Sequence, residues 1–156
     1  GGVFHKLTAK NFSGFISPEA YDLDRYVIGK GTAASLDFAA VLAQAARLLV
    51  PTHEFWSQKA LEAAEKAWKW AQFNPQVAFS NPDDVKTGEY GDAQFADDFY
   101  WAAAELYLAT QETMYLNYLQ SNKETYQHQL TNSWKFFTRN VGFAINSSRT
   151  HRSQTL

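Results

Sequence analysis

The feature that most constrains the fold of this sequence is a pair of long helical patterns separated by one proline. Apolar residues recur at helical spacing from Thr32 to about Val50 and cover most of the circumference, which predicts a helix buried on most sides. Pro51 ends this pattern, and a second one runs from about Glu54 to Phe73. The many alanines of both patterns permit close helix packing. An all-α fold built from helical hairpins is therefore predicted.

The flanking segments have a different pattern. Residues 1–31 lack helical spacing, and a loose alternation across residues 3–9 predicts a short strand followed by loops. Residues 76–94 read as one long loop, and loops longer than ~12–15 residues in a compact domain are usually functional or disordered. Because this loop contains Phe79 and Tyr90, we expect a functional one. Further helices are predicted at residues 97–110, 112–120, 122–129 and 133–145.

Two threonines mark the expected helix starts. Thr32 and Thr52 each precede a helical pattern, and a threonine at this position commonly caps free backbone N–H groups. Both are predicted as N-caps. The chain then divides into an extended and loop segment at residues 1–31, helical hairpins at residues 32–145 and a polar tail at residues 146–156.

Composition excludes several classes of function. The net charge of −2 gives no basic footprint for nucleic acid. The longest apolar stretch is interrupted by polar residues and falls short of the ~18 apolar residues of a membrane span. Without cysteine there is no thiol nucleophile or thiolate metal site. Since the four histidines are scattered and no phosphate-loop or dinucleotide motif occurs, no metal and no cofactor is predicted.

The pair Asp97-Asp98 has two interpretations. Aspartate-rich helices hold magnesium in some enzymes, but that pattern requires a third carboxylate one turn later, where Trp101 or Ala102 stands. The favoured interpretation is an acidic first turn, which the helix dipole stabilises.

Three segments, in the same order, resemble glycoside hydrolase family 9, the endoglucanase or cellulase family. The first is Gly-Gly-Val-Phe-His-Lys-Leu-Thr at residues 1–8, and the second is the helix and its lead-in at residues 25–47. The third joins Thr-Gly-Glu-Tyr-Gly-Asp at residues 87–92 to the helix at residues 97–107. The resemblance implies part of an (α/α)6 toroid of six helical hairpins, with a substrate groove across one end.

The resemblance also implies inverting hydrolysis of β-1,4-glucans. The family uses an aspartate base in an Asp-Ala-Gly-Asp motif and a glutamate acid near the end of the domain. Neither element occurs in this sequence, so we expect a middle portion of the catalytic domain, with no catalytic residue and no activity of its own. A secreted or periplasmic parent enzyme is expected.

The expected partners are β-1,4-glucan oligosaccharides and the remainder of the parent domain, with self-association of the isolated chain, and no nucleic acid or membrane.

Three residues are predicted to bind substrate by this resemblance. His5 corresponds to a histidine that hydrogen-bonds a glucosyl unit, Tyr90 to a sugar-stacking aromatic residue, and Trp134 to a later groove tryptophan. The alternatives are a structural role for His5 and a packed loop anchor for Tyr90. Arg25 is expected to brace the loop, and Asp92 to orient Tyr90.

Two other functions remain open. One is a non-catalytic helical carbohydrate-binding or scaffold domain of the same ancestry. The other is an unrelated all-α interaction domain, which the three ordered segments disfavour.

Overall fold

The computed structural model describes residues 1–124. Most of the predicted helix at residues 122–129, the predicted helix at residues 133–145, the tail and Trp134 lie outside the described residues. The elements in chain order are β1 (Phe4–Thr8), β2 (Tyr26–Lys30), α1 (Thr32–Leu49), α2 (Glu54–Phe73), α3 (Ala96–Thr110) and α4 (Thr113–Ser121), with one 3-10 turn at Pro18–Ala20.

The first two helices form an antiparallel hairpin. At one end, the Ser57 hydroxyl at the start of α2 donates a 2.8 Å hydrogen bond to the carbonyl of Ala46 near the end of α1. At the other end, the Thr32 hydroxyl at the start of α1 donates a 2.6 Å hydrogen bond to the carbonyl of Asn74 after α2. The predicted bounds of both helices are confirmed to within one residue.

Helix α3 runs in the same direction as α1. The Arg47 guanidinium near the end of α1 pairs with the carboxylate of Glu105 in the second half of α3, at 2.5 Å. The acidic first turn of α3 lies beside Asp37 near the start of α1, and burial, followed by the charge of Asp97 in that turn, raises the pKa of Asp37. A two-residue connection leads from α3 to α4, which closes a second helical hairpin. Helices α1–α4 are called the helical core below.

The core consists of small residues between helices and one aromatic cluster. Five alanines of α1 and α3, among others, are fully buried: Ala39, Ala40, Ala43, Ala102 and Ala103. Trp68 of α2 is only 2% exposed. Its ring makes edge contacts with Phe99, Tyr115 and Tyr118, at centroid distances of 5.6, 5.7 and 5.3 Å. Such edge-to-face pairs are the favoured geometry of aromatic side chains.

The N-terminal segment forms a two-stranded antiparallel sheet. Strand β1 was predicted, and it is confirmed. Its partner β2 was not, because Tyr26, Val27 and Ile28 are a short apolar run in an otherwise polar stretch that ends in a Gly-Lys-Gly break. In the register, Phe4 pairs with Lys30 and Lys6 pairs with Ile28. Residues 1–31, which form the sheet and its connecting loop, and the loop at residues 74–95 are together called the cap.

Both predicted N-caps are wrong. The N-cap of α1 is Gly31, and Thr32 is the first helical residue. The Thr32 hydroxyl instead joins the helix to the loop, because it donates to the Asn74 carbonyl and accepts a 2.9 Å hydrogen bond from the Val77 amide. The N-cap of α2 is His53, without a side-chain cap. The Thr52 hydroxyl contacts the His53 ring nitrogen Nδ1 at 2.9 Å.

Helix α1 is long and apolar enough to cross a membrane by length and composition alone, with a mean hydropathy of 1.2 over 18 residues. The residues that it buries, however, are mostly alanines packed in the helical core. Only 39% of this stretch is buried, and Phe38, Val41 and Leu48 are exposed, so the predicted burial of α1 on most sides is wrong for the described residues.

Candidate functional site

A cleft of about 490 Å³ opens between the cap and the first turns of α1 and α3. Strand β1 supplies one wall, and the loop of the cap supplies Tyr90 and Asp92. The helices supply small, aromatic and acidic side chains. The lining residues are Val3, Phe4, His5, Ala33, Ala34, Asp37, Phe38, Tyr90, Asp92 and Asp98.

His5 is held by two residues of the loop. Its ring stacks on Phe79, with 3.9 Å between the ring centroids and 13° between the planes. Its Nε2 atom lies 2.9 Å from the backbone carbonyl of Glu89. Because a carbonyl oxygen only accepts, Nε2 carries the hydrogen in this contact. The ring is therefore fixed at one face and one edge.

The next residue fastens the loop to β1. The Lys6 ammonium donates to the Gly88 carbonyl at 2.6 Å and to the Thr87 hydroxyl at 3.3 Å. It also lies 5.6 Å from the centroid of the Phe79 ring. The hydroxyls of Thr8 and Thr87 share a further hydrogen bond of 2.9 Å. The cap is thus closed by contacts between residues that are distant in the sequence.

Tyr90 projects into solvent at the edge of the cleft. Its ring is 81% exposed, and its backbone has a φ of 52°. A non-glycine residue in this left-handed region carries strain of about 1–3 kcal/mol, and such strain is found disproportionately at ligand sites. The Tyr90 ring lies over Gly88, where an added Cβ would stand 2.5 Å from Cζ of the ring. Gly88 therefore leaves room for this ring position.

The helix side of the cleft is acidic. Burial raises the pKa of Asp98 to about 7, and Asp37, Asp97 and Asp92 add to the shift in that order. Burial, followed by Asp97 and Asp92, also raises the pKa of Asp37. Asp98 Oδ2 and Asp97 Oδ1 are buried without a hydrogen-bond partner among the described residues. The raised pKa means that the neutral form of the Asp98 carboxyl persists to higher pH than it would for an exposed aspartate.

Within residues 1–124, no three His, Asp or Glu side chains come together in a way that would hold a metal ion. The acidic first turn of α3 is the interpretation favoured from the sequence, and both aspartates do lie in that turn.

The structure brings two of the three predicted binding residues together. His5 and Tyr90 line the same cleft, whereas Trp134 lies outside the described residues. Asp92 lines the cleft as well, but its Oδ1 accepts a 2.8 Å hydrogen bond from the Gln94 amide, and within residues 1–124 no hydrogen bond joins Asp92 to Tyr90. Arg25 is exposed and makes no hydrogen bond or ion pair with described residues. The binding roles of these residues stay predictions.

Sequence reasoning missed three cleft residues and one supporting residue. Asp37 and Phe38 were assigned to a helix that was predicted to be buried. The single aspartate in that largely apolar pattern could have indicated a polar site. Asp98 was explained by the helix dipole alone. Phe79 was noticed only as an aromatic residue in a loop, because nothing local in the sequence connects it to His5.

A family model supports the resemblance. The model for Glycosyl hydrolase family 9 matches residues 4–152. Among curated proteins, a xyloglucan-specific endo-beta-1,4-glucanase of Bacteroides ovatus is 43% identical over 125 residues, which are 74% of this chain and 21% of that protein.

Solved structures agree with the sequence comparison. A family 9 glycoside hydrolase of Bacteroides ovatus aligns with a TM-score of 0.73 and 40% identity, over 78% of this chain and 24% of that one. AaCel9A, solved in complex with a cellobiose-like isofagomine, aligns with a TM-score of 0.75 and 31% identity, over 78% of this chain and 23% of that one. The chain thus spans between a fifth and a quarter of these relatives. The helical hairpins correspond to part of an (α/α)6 toroid, as predicted.

Proposed function

Because this chain belongs to glycosyl hydrolase family 9, we propose that its cleft is part of the sugar-binding groove of an inverting endo-β-1,4-glucanase. The observation that carries the proposal is the meeting of His5 and Tyr90 in one cleft opposite a partly buried aspartate. Exposed aromatic rings beside hydrogen-bonding groups suit a sugar, which has an apolar ring face and a hydroxyl edge. The xyloglucan-specific endo-beta-1,4-glucanase of Bacteroides ovatus, and AaCel9A with its cellobiose-like isofagomine, support the same substrate class.

The roles within the groove follow from the chemistry of each side chain. His5 hydrogen-bonds a glucosyl hydroxyl, and the exposed Tyr90 ring stacks on a pyranose face. We include Trp134 as a third sugar contact on the strength of the family resemblance alone. Asp98 and Asp37 border the same volume and offer a donor and an acceptor for hydroxyl groups at near-neutral pH.

The proposal assigns binding, and not bond cleavage, to these 156 residues. Inversion requires two carboxyl groups ~6.5–9.5 Å apart with a water between them, in distinct roles as base and acid. The family carries its base in Asp-Ala-Gly-Asp, and the sequence contains no such motif. We therefore propose that the chain by itself does not hydrolyse β-glucan. Incubation with soluble β-glucan and measurement of new reducing ends tests this, and sustained turnover would refute it.

The proposed partners include the remainder of the parent catalytic domain. Large apolar side chains are exposed on the cap and at both ends of α2, including Phe12, Phe15, Trp56 and Phe73. Such surfaces suit contacts with neighbouring hairpins. When those hairpins are missing, the same exposed surfaces favour self-association of the chain. Size-exclusion chromatography with light scattering tests this, because a sharp monomer peak at all concentrations contradicts it. We also propose secretion or a periplasmic location for the parent enzyme, by family resemblance.

Binding is tested with cello-oligosaccharides and intrinsic fluorescence. We expect the protein to bind cellotetraose and a variant with alanine at His5, Tyr90 and Trp134 to lose this binding. A matched control with alanine at Phe55 and Trp56, an exposed aromatic pair at the far end of α1 and α2, should bind normally. Equal affinity in the triple variant removes all three assignments.

A further inference from the structure

We infer that Phe79 is a positioning residue, which holds the His5 imidazole in one orientation and one tautomer so that Nδ1 accepts a hydrogen bond from a sugar hydroxyl. The inference rests on the proposed function, because it specifies how His5 recognises a sugar in the same cleft. Phe79 itself is not among the residues that line the cleft. Its effect on a ligand therefore passes through His5.

The first observation is the stack between the two rings. A centroid distance of 3.9 Å and an angle of 13° place the Phe79 ring nearly parallel to the imidazole and in contact with its face. Rotation of His5 about its side-chain bonds would break this contact. An aromatic pair of this kind therefore narrows the orientations that the imidazole adopts.

The second observation is the space that the sheet leaves for Phe79. Because Phe4 pairs with Lys30 and Lys6 with Ile28, Gly29 stands across from His5 in the register. A Cβ at Gly29 would lie 2.7 Å from Cδ2 and Cε2 of the Phe79 ring. Gly29 also has a φ of 52°, where a side chain is strained. Because Gly29 has no side chain, β2 leaves room for the Phe79 ring to stack on His5.

The third observation fixes the tautomer. Nε2 of His5 lies 2.9 Å from the Glu89 carbonyl oxygen, which has only lone pairs to offer. In the neutral imidazole, one nitrogen is a donor and the other an acceptor. With Nε2–H donating to Glu89, the lone pair belongs to Nδ1. A sugar hydroxyl then donates to Nδ1, and the same hydroxyl oxygen remains free to accept from another group.

These observations fit one arrangement. Phe79 and Glu89 belong to the same loop, and Lys6 ties that loop to β1 through Gly88. One face and one edge of the imidazole are occupied by the loop, so Nδ1 is the nitrogen that remains for a ligand in the cleft.

The test combines nitrogen NMR with binding of cellotetraose. In the ¹⁵N-labelled protein, long-range ¹H–¹⁵N spectra should show His5 mainly as the Nε2–H tautomer, with its signals assigned by their loss in His5→Gln. Phe79→Leu keeps an apolar side chain but removes the flat face. We expect it to mix the tautomers and to weaken cellotetraose binding about 3- to 10-fold. Phe79→Tyr keeps the stack and should restore both properties.

Two further variants guard against a general structural effect. Phe73→Leu replaces an exposed phenylalanine at the end of α2 and should change neither the His5 signals nor the affinity. Gly29→Ala displaces the Phe79 ring without removing it and should reproduce the tautomer mixing. If circular dichroism shows that Phe79→Leu is unfolded, Gly29→Ala and Phe79→Tyr are compared with the wild type instead.

The inference is overturned if Phe79→Leu leaves the His5 tautomer and the affinity unchanged. It is also overturned if the affinity falls while the His5 signals stay as in the wild type, since Phe79 then acts on the groove by another route. If the wild type does not bind cellotetraose, the proposed function fails, and the tautomer comparison alone decides whether Phe79 positions His5.

Discussion

The helical core and the cap are stabilised by different kinds of contact. The core buries alanines between helices and surrounds Trp68 with aromatic rings, and most of these residues are buried. The cap is held by individual hydrogen bonds from Lys6, Thr8 and Thr32 to a loop far away in the sequence. Apolar burial dominates folding free energy, whereas a single hydrogen bond contributes only about 0.5–1.5 kcal/mol. The difference indicates that stability resides mainly in the helical core, whereas His5 and Tyr90, the two described residues with proposed sugar contacts, lie in the cap.

The largest expected effect comes from the centre of the core. Trp68→Ala removes a ring that is 2% exposed and contacts three aromatic neighbours. We expect the free energy of unfolding to fall by about 3–5 kcal/mol, because a large buried side chain leaves a cavity behind. Urea denaturation measures the change. Trp56→Ala is the matched control, since Trp56 is 62% exposed at the start of α2, and it should shift stability by less than about 0.5 kcal/mol. Equal losses would contradict the division between core and surface.

The second expected effect compares an ion pair in each region. In the core, Arg47→Met leaves the Glu105 carboxylate, which is 3% exposed, without its cation. Breaking a buried pair costs about 3–5 kcal/mol, and the partial exposure of Arg47 lowers the expected loss to about 2–3 kcal/mol. Thermal unfolding should show this loss, and adding Glu105→Gln should recover part of it.

In the cap, Lys10→Met breaks the exposed pair with Asp84. We expect no measurable loss there, because surface pairs are screened by solvent. A Lys10→Met loss as large as that of Arg47→Met would show that the cap, too, contributes ion-pair stability.

The two regions also differ in how far they follow from the sequence. The bounds of α1 and α2 were predictable because apolar spacing and Pro51 act locally along the chain. Strand β2 was not, since its apolar run of Tyr26, Val27 and Ile28 is too short to indicate a strand before its pairing with β1 is known. The resemblance pointed to His5 and Tyr90, but the contact of Phe79 with His5 depends on a space left by Gly29. Such tertiary contacts leave no periodic trace in a single sequence.

The third expected effect tests the acidic boundary between core and cap. Burial raises the pKa of Asp98 from 3.8 to about 7, so the folded state keeps a proton that the unfolded state loses. Wild-type stability therefore contains a contribution that is present below about pH 4 and is lost as the pH rises towards 7. Asp98→Asn should remove this loss and therefore raise the free energy of unfolding at pH 8 by about 1–2 kcal/mol relative to the wild type. This value is reduced from the full pKa shift because the group is partly accessible to solvent.

Denaturant midpoints measured from pH 4 to 8 check this expectation. The difference between Asp98→Asn and the wild type should grow with pH and level off above pH 7. Asp24→Asn, which removes a carboxyl group at an exposed position of the cap, is the matched control for the substitution itself. A constant difference between Asp98→Asn and the wild type at every pH would mean that Asp98 titrates alike in the folded and unfolded states.

The smallest expected effect on stability lies at the tip of the cap. Gly88→Ala places a Cβ about where the Tyr90 ring lies, 2.5 Å from its Cζ. Because the ring is exposed and free to swing away, we expect a change in unfolding free energy below about 0.5 kcal/mol. The displaced ring no longer borders the cleft, so cellotetraose should bind about 3- to 10-fold more weakly, as for loss of one aromatic contact. Fluorescence titration of Gly88→Ala, Tyr90→Ala and the double variant measures the cellotetraose affinity of each. Gly88→Ala should have no further effect once Tyr90 is removed, whereas additive losses would mean that Gly88 serves the cleft independently of Tyr90.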